Sequence, residues 1–167
     1  MQQKIPWLQK EIGINKLMKK IVFAVAITLL ITGISAFAQT TKPAELPAGI
    51  AGWSGEDSDK LLNDPVIKTR LKKMLGRKNY AAFMDSFETL TPITKDGDIL
   101  FASGCLIHAC THLESAIAID LKNNTIHAAI YNDEKRTRFF NERGKKTPAQ
   151  IVDWARRLAG LKNNNPS

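Results

Sequence analysis

The apolar positions between Asp64 and Gly160 keep two different periods, and the change from one to the other divides the chain. Ile67, Leu71, Met74 and Leu75 recur at helical spacing, with Lys68, Lys72 and Lys73 off the stripe, so a helix is predicted here. Asp64 suits its N-cap and Pro65 its first turn, where a missing N–H costs nothing. Gly76 suits the C-terminal cap. A second helix is predicted over about Asn79 to Glu88, burying Tyr80, Phe83, Met84 and Phe87 at i, i+3, i+4 and i+7. The lysines form a basic face, read as solvation.

After Thr91-Pro92 the period becomes strand-like. Ile99 to Gly104 reads as a strand ending at a loop. Glu114 to Leu121 alternates, with Ile117, Ile119 and Leu121 on one face and Ala116 and Ala118 on the other. Lys122-Asn123-Asn124-Thr125 is turn chemistry, since Asn tolerates positive φ. Ile126 to Tyr131 returns, and Arg136 to Phe140 is a further predicted strand. The expected sheet is an antiparallel meander with one face under helices and the other wet. Thr147-Pro148-Ala149-Gln150 reads as a capping box that opens a last helix. That helix buries Ile151, Trp154, Ala155 and Leu158, exposes Arg156 and Arg157, and is expected to stop at Gly160. The fold class is α+β: a meander packed with N-terminal helices and one C-terminal helix, with no internal repeat.

The N-terminus changes the compartment. Met18-Lys19-Lys20, the uncharged run Ile21 to Ile34 and Ser35-Ala36-Phe37-Ala38-Gln39 have the layout of a secretory signal cut before Gln39. The alternative, a membrane anchor, needs about 20 apolar residues, more than this run has. Residues 1–38 are therefore read as signal peptide, with Met18 a candidate functional start and a periplasmic or secreted destination. Residues 39–59, rich in Pro, Gly, Ala and Ser, read as a flexible lead with Trp53 available to dock on the domain. Residues 60–161 form the domain, and 162–167 a frayed tail.

Five of the 24 Lys and Arg and one of the 16 Asp and Glu precede the cut, so the mature chain carries 19 against 15 and the net charge falls from +8 to +4. That balance is ordinary for a small exported domain and gives no reason to expect a nucleic-acid or membrane partner.

The only two cysteines, Cys105 and Cys110, enclose Leu106-Ile107-His108-Ala109 at the end of a predicted strand. In an oxidising compartment two nearby thiols are expected to pair, and closing a six-residue loop contributes about 2 kcal/mol by the chain-entropy estimate. A zinc set of Cys105, His108, Cys110 and His112 is the competing reading, although structural zinc sites more often join separated pairs. Haem attachment wants His directly after the second Cys, and Thr111 stands there. Nucleophilic catalysis needs a free thiol activated by His. The chain has no Gly-x-Ser-x-Gly, His-Glu-x-x-His or glycine-rich phosphate run, and nothing singles out a carboxylate pair. Enzyme is the weaker class. His127 lies within a strand, structural or on the wet face, and His112 can cap the loop. His108 differs, because a six-residue disulfide loop leaves little room to bury its ring.

Cys-x-x-His-x-Cys at a strand end of an exported α+β domain resembles the Ivy family, inhibitors of vertebrate (c-type) lysozyme. The resemblance runs from about Leu61 to Ala159 and includes Glu114-Ser115-Ala116-Ile117-Ala118-Ile119-Asp120-Leu121. It implies a periplasmic protein, in many cases dimeric, with no cofactor and no catalysis of its own. Its partner would be a c-type lysozyme or related muramidase. The loop Cys105, Leu106, Ile107, His108, Ala109, Cys110 would plug the cleft, and His108 would meet the two catalytic carboxyls. The loop familiar from the enterobacterial inhibitor reads Cys-Lys-Pro-His-Asp-Cys; Leu106 and Ile107 stand here for Lys-Pro, and Ala109 for Asp. An endogenous lytic transglycosylase is the alternative target, and a periplasmic hydrolase or metal-binding protein the alternative class.

Overall fold

The computed structural model describes residues 43–164 and, within the last helix, side chains as far as Gly160. The expected signal sequence, its candidate start at Met18 and the expected cut before Gln39 lie outside the described residues. A short helix α1 (Asp59–Asn63) leads into α2 (Pro65–Asp85). The Asp64 carboxylate caps α2 by accepting the Val66 and Ile67 N–H groups at 2.9 and 3.0 Å. Gly76 takes φ 69°, ψ 166° and ends the first helical segment as the expected cap would, so α2 is two helices joined across a kink. Ile67, Leu71 and Leu75 are buried before the break, and Phe83 after it.

Six antiparallel strands follow: β1 (Thr89–Leu90), β2 (Thr94–Asp96), β3 (Ile99–Cys105), β4 (Leu113–Asp120), β5 (Thr125–Asn132) and β6 (Arg138–Asn141). The spatial order is β1-β3-β4-β5-β6, with β2 also on β3. The two-residue β1 and three-residue β2 were not predicted. They share the outer edge of β3, pairing Thr89 with Cys105 and Asp96 with Ile99. Thr91-Pro92-Ile93 interrupts them, and an edge broken by proline resists pairing with a foreign strand. The last helix, α3, spans Ala149–Asn164 and runs through Gly160 instead of stopping there.

Both faces of the sheet are covered, which corrects the expectation of a wet one. Ile117 and Ile119 of β4 pack with Ile126, Ala128 and Ile130 of β5 against Ile67, Leu71 and Phe83 of α2. Ala116, Ala118 and Ala129, on the opposite face, meet Ile151, Trp154 and Leu158 of α3. Small alanines let a helix carrying a tryptophan lie close. The alternation of large and small residues along β4 thus specifies two packed faces. His127, on the α3 face, is buried at 1% exposure between Thr125 and Asn141, so its role is structural. The capping box at Thr147 is not made: the Thr147 hydroxyl pairs with Asn141, and the Gln150 amide donates to Asp96.

From Pro43 to Asp59, the stretch read as a lead lies on the domain. Ile50 is buried, Trp53 packs on the main core, and Asp57 bridges Pro92. The architecture is α+β, an antiparallel sheet with helices before it and a C-terminal helix after it.

Candidate functional site: a disulfide-closed histidine loop

β3 and β4 end together on the pair Cys105 and Glu114, and the Leu106 N–H donates to the Leu113 carbonyl at 3.1 Å beyond it. The residues between form two successive tight turns. Ala109 N–H returns to the Leu106 carbonyl at 2.9 Å, which places Ile107 and His108 at the tip of the first. His112 and Leu113 then donate to the Ala109 carbonyl at 3.1 and 2.9 Å. Each turn needs a residue in the left-handed region; His108 (φ 62°) and Thr111 (φ 71°) supply them. Histidine is among the residue types that tolerate this region best after glycine, and β-branched threonine tolerates it poorly. Such strain persists where the surroundings over-determine it.

Those surroundings include a covalent bond. Cys105 and Cys110 are joined, with their Cα atoms 5.0 Å apart. Cys105 is buried at the root of the sheet and Cys110 is exposed, so the bond ties the outer turn to the frame. With both sulfurs in one bond, neither is the thiolate that zinc coordination or nucleophilic attack requires. The root is also close-packed. Gly104 lies so near the neighbouring chain that a Cβ there would stand 2.9 Å from the Thr89 carbonyl oxygen and 2.7 Å from the Phe87 ring. Only glycine fits.

Carboxylates hold the rest. Glu88 accepts the Ile107 N–H at 3.2 Å and Glu114 accepts the Thr111 N–H at 2.9 Å. The His112 ring meets Asp133 through Nδ1 at 2.6 Å, while the Asp133 N–H donates to the His112 carbonyl at 3.0 Å. Beneath them, Tyr131 is paired with Glu114 across the sheet. Its phenol titrates above the usual tyrosine range, first because it is buried and then because the Asp133 and Glu114 charges disfavour a phenolate.

The structure therefore separates the three histidines that the sequence offered. His127 is core and His112 braces the loop's exit. His108 is exposed at the tip and makes no side-chain hydrogen bond among the described residues. Ile107 beside it is 52% exposed. The tip can thus present an imidazole and an aliphatic side chain to a concave partner without first breaking internal contacts. An open groove of about 500 Å³ between the start of β3, the end of β4 and the start of α3, lined by Ile99, Asp120, Pro148, Gln150, Asp153 and Arg156, lies at the end of the sheet opposite the loop. The candidate site is a protrusion, not a pocket.

Three features escaped the sequence. Glu88 gave no local signal, because its partner is defined only by strand register, and Glu114 stands three residues after Thr111, a spacing at which a carboxylate can reach back to a backbone N–H. The third, Arg70, did give one: it lies on the apolar stripe of α2, beside Leu71 and three residues after Ile67. A cation in that position points to a buried ion pair. It makes one, bidentate with Glu142, at 3.0 Å through Nε and 2.5 Å through Nη2.

No curated protein and no solved structure matches the chain significantly. The family model described as Inhibitor of vertebrate lysozyme (Ivy) matches residues 66–160, which take in α2 from its first turn, the whole sheet, the loop and most of α3. With more than half of its length matched, and with the cysteine-closed loop inside the matched region, the chain belongs to the Ivy family, inhibitors of vertebrate lysozyme.

Proposed function

We propose that the chain is an exported, non-catalytic inhibitor of a c-type lysozyme or related muramidase, and that it acts by inserting the Cys105–Cys110 loop into the enzyme's cleft. The observation that carries this reading is the exposed, unengaged His108 at the tip of a covalently closed loop, within a chain of this family. A c-type lysozyme site holds one protonated and one ionised carboxyl side by side. An imidazole can hydrogen-bond both, and as imidazolium it is attracted to the ionised one. Because the loop is already ordered, little conformational freedom remains to be lost on binding. Inhibition is occlusion plus capture of the catalytic groups. A second reading keeps the mechanism and changes the target to the bacterium's own lytic transglycosylase. It is favoured by the apolar tip, Leu106 and Ile107, which carries neither the Lys nor the Asp of the enterobacterial loop.

The test is lysis of Micrococcus-type cell walls by c-type lysozyme, with wild type and with His108→Ala. Wild type is expected to slow lysis, and His108→Ala to weaken inhibition by about 10- to 100-fold, the loss typical of a central binding residue. If wild type leaves lysis untouched, the lysozyme reading fails and the same assay with a lytic transglycosylase decides the second. Equal potency of the two proteins removes His108 from the role.

A further inference from the structure

We propose that Glu88 and Glu114 are positioning residues for His108: each accepts one loop N–H, and together they brace the tip from both sides. The inference rests on the reading of the loop as the inhibitory element. The disulfide fixes the two ends of the loop, but four residues lie between its cysteines. Between the residues of that span the one main-chain bond among the described residues, Ala109 N–H to the Leu106 carbonyl, holds the C=O of the Leu106–Ile107 peptide and leaves its N–H, like the Thr111 N–H just beyond Cys110, free of main-chain bonds.

The two glutamates remove that freedom. Glu88 directly precedes β1, and its own N–H donates to the Cys105 carbonyl at 3.2 Å, so its backbone is registered on the loop's root. Its Oε2 takes the N–H of Ile107, the residue before His108. Glu114 sits on β4 opposite Cys105, and its Oε1 takes the N–H of Thr111, the second left-handed residue. One brace thus comes from each side of β3. Neither carboxylate forms an ion pair with a cationic side chain among the described residues. Their bonding to the loop is to amide N–H groups, and an ionised acceptor makes those bonds stronger than a neutral one would. Two left-handed residues that would otherwise relax are held in the conformation that presents the ring.

The experiment compares the paired variants Glu88→Ala/Glu114→Ala and Glu88→Gln/Glu114→Gln with wild type and His108→Ala. Glutamine keeps an acceptor oxygen at the same reach and discards the charge. Two readouts are taken: amide hydrogen exchange at Ile107 and Thr111 in the free protein, and the inhibition constant against the muramidase. The alanine pair is expected to speed exchange at both amides and to weaken inhibition about tenfold, as lost preorganisation should. The glutamine pair is expected to stay within about threefold of wild type, since a neutral acceptor retains much of the bond. Unchanged exchange, or unchanged potency, in the alanine pair overturns the proposal. So does a glutamine pair whose amides exchange as slowly as wild type yet which inhibits as weakly as the alanine pair, which would assign the effect to charge at the interface. Should wild type itself not inhibit, the inhibitory reading has failed, and the exchange data alone still decide whether the glutamates brace the loop.

Discussion

The two ends of the sheet treat polar groups in opposite ways. At the turn end, Arg70 is 5% exposed and fully occupied. It pairs with Glu142, donates to the Asn124 side chain at 2.7 Å and to the Asn124 carbonyl at 2.8 Å, and reaches the Ala44 carbonyl at 2.9 Å. Glu142 accepts the Ile126 N–H at 2.8 Å as well. Three segments distant in sequence from α2 and from one another meet on one guanidinium. At the loop end, the carboxylates of Glu88, Glu114 and Asp133 meet their partners at the surface, each holding one residue of the loop or its exit. One end uses a buried charge to gather the fold; the other uses carboxylates and a disulfide to hold strain in view of solvent. Recognition by a protrusion needs that division, because a rigid tip is useful only on a frame that does not move.

The largest effect should come from removing the gathering point. Arg70→Ala leaves the largely buried Glu142 carboxylate without its cationic partner, and removing one member of a buried ion pair typically costs about 3–5 kcal/mol. That is a large share of the roughly 5–15 kcal/mol that holds a domain folded. Urea unfolding measures it, and inhibition per folded molecule is expected to be unchanged. A loss below about 1 kcal/mol would show that the network is not an anchor. Opening the loop should do the reverse. Cys105→Ser/Cys110→Ser is expected to lower stability by about 2 kcal/mol and to weaken inhibition more than Arg70→Ala does. Full potency with confirmed free cysteines in reduced wild type would show that closure does not preorganise the tip.

This contrast also explains what could be read from the chain. The α2 stripe, the Asp64 cap and the alternating faces of β4 and β5 are local patterns, and they appear in the structure where the periodicity placed them. Asn124, expected to suit a turn, takes φ 48° at the β4–β5 connection. The second covered face was misjudged because Ala116 and Ala118 look too small to belong to a core. Only the bulk of Trp154 arriving from α3 makes small residues the right filling. The disulfide was legible because spacing and family resemblance converge on one hexapeptide, the one that carries His108. The Glu88 brace was not, since Glu88 meets the root of β3 and the loop only through a register that no local pattern encodes.

The smallest effects lie in the pH limits, and they should differ between the two ends. Asp120, at the turn end, is partly buried, which by itself raises its pKa. Hydrogen bonds from the Asn123 side chain and N–H, at 2.7 and 2.9 Å, together with the nearby His127, outweigh that and hold the carboxyl below its ordinary value of 3.8. A carboxylate with a depressed folded pKa stabilises the fold above its unfolded pKa, and that contribution is lost as pH falls from 3.8 through the folded value. Tyr131, at the loop end, has the opposite sign. Burial first, then the Asp133 and Glu114 charges, raise it above 10.0, so its contribution is present below 10.0 and is lost as pH rises through the folded value. Tyr80 is raised by burial and adds to the same alkaline limb. Urea midpoints followed from pH 2 to 11 should therefore show Asp120→Asn flattening only the acid limb and Tyr131→Phe flattening part of the alkaline one. If Asp120→Asn lowers stability by the same amount at pH 7 and at pH 2, the Asn123 bonds do not discriminate between the charged and neutral carboxyl. The turn end would then owe nothing to ionisation at Asp120, and its electrostatics would reduce to the Arg70–Glu142 pair.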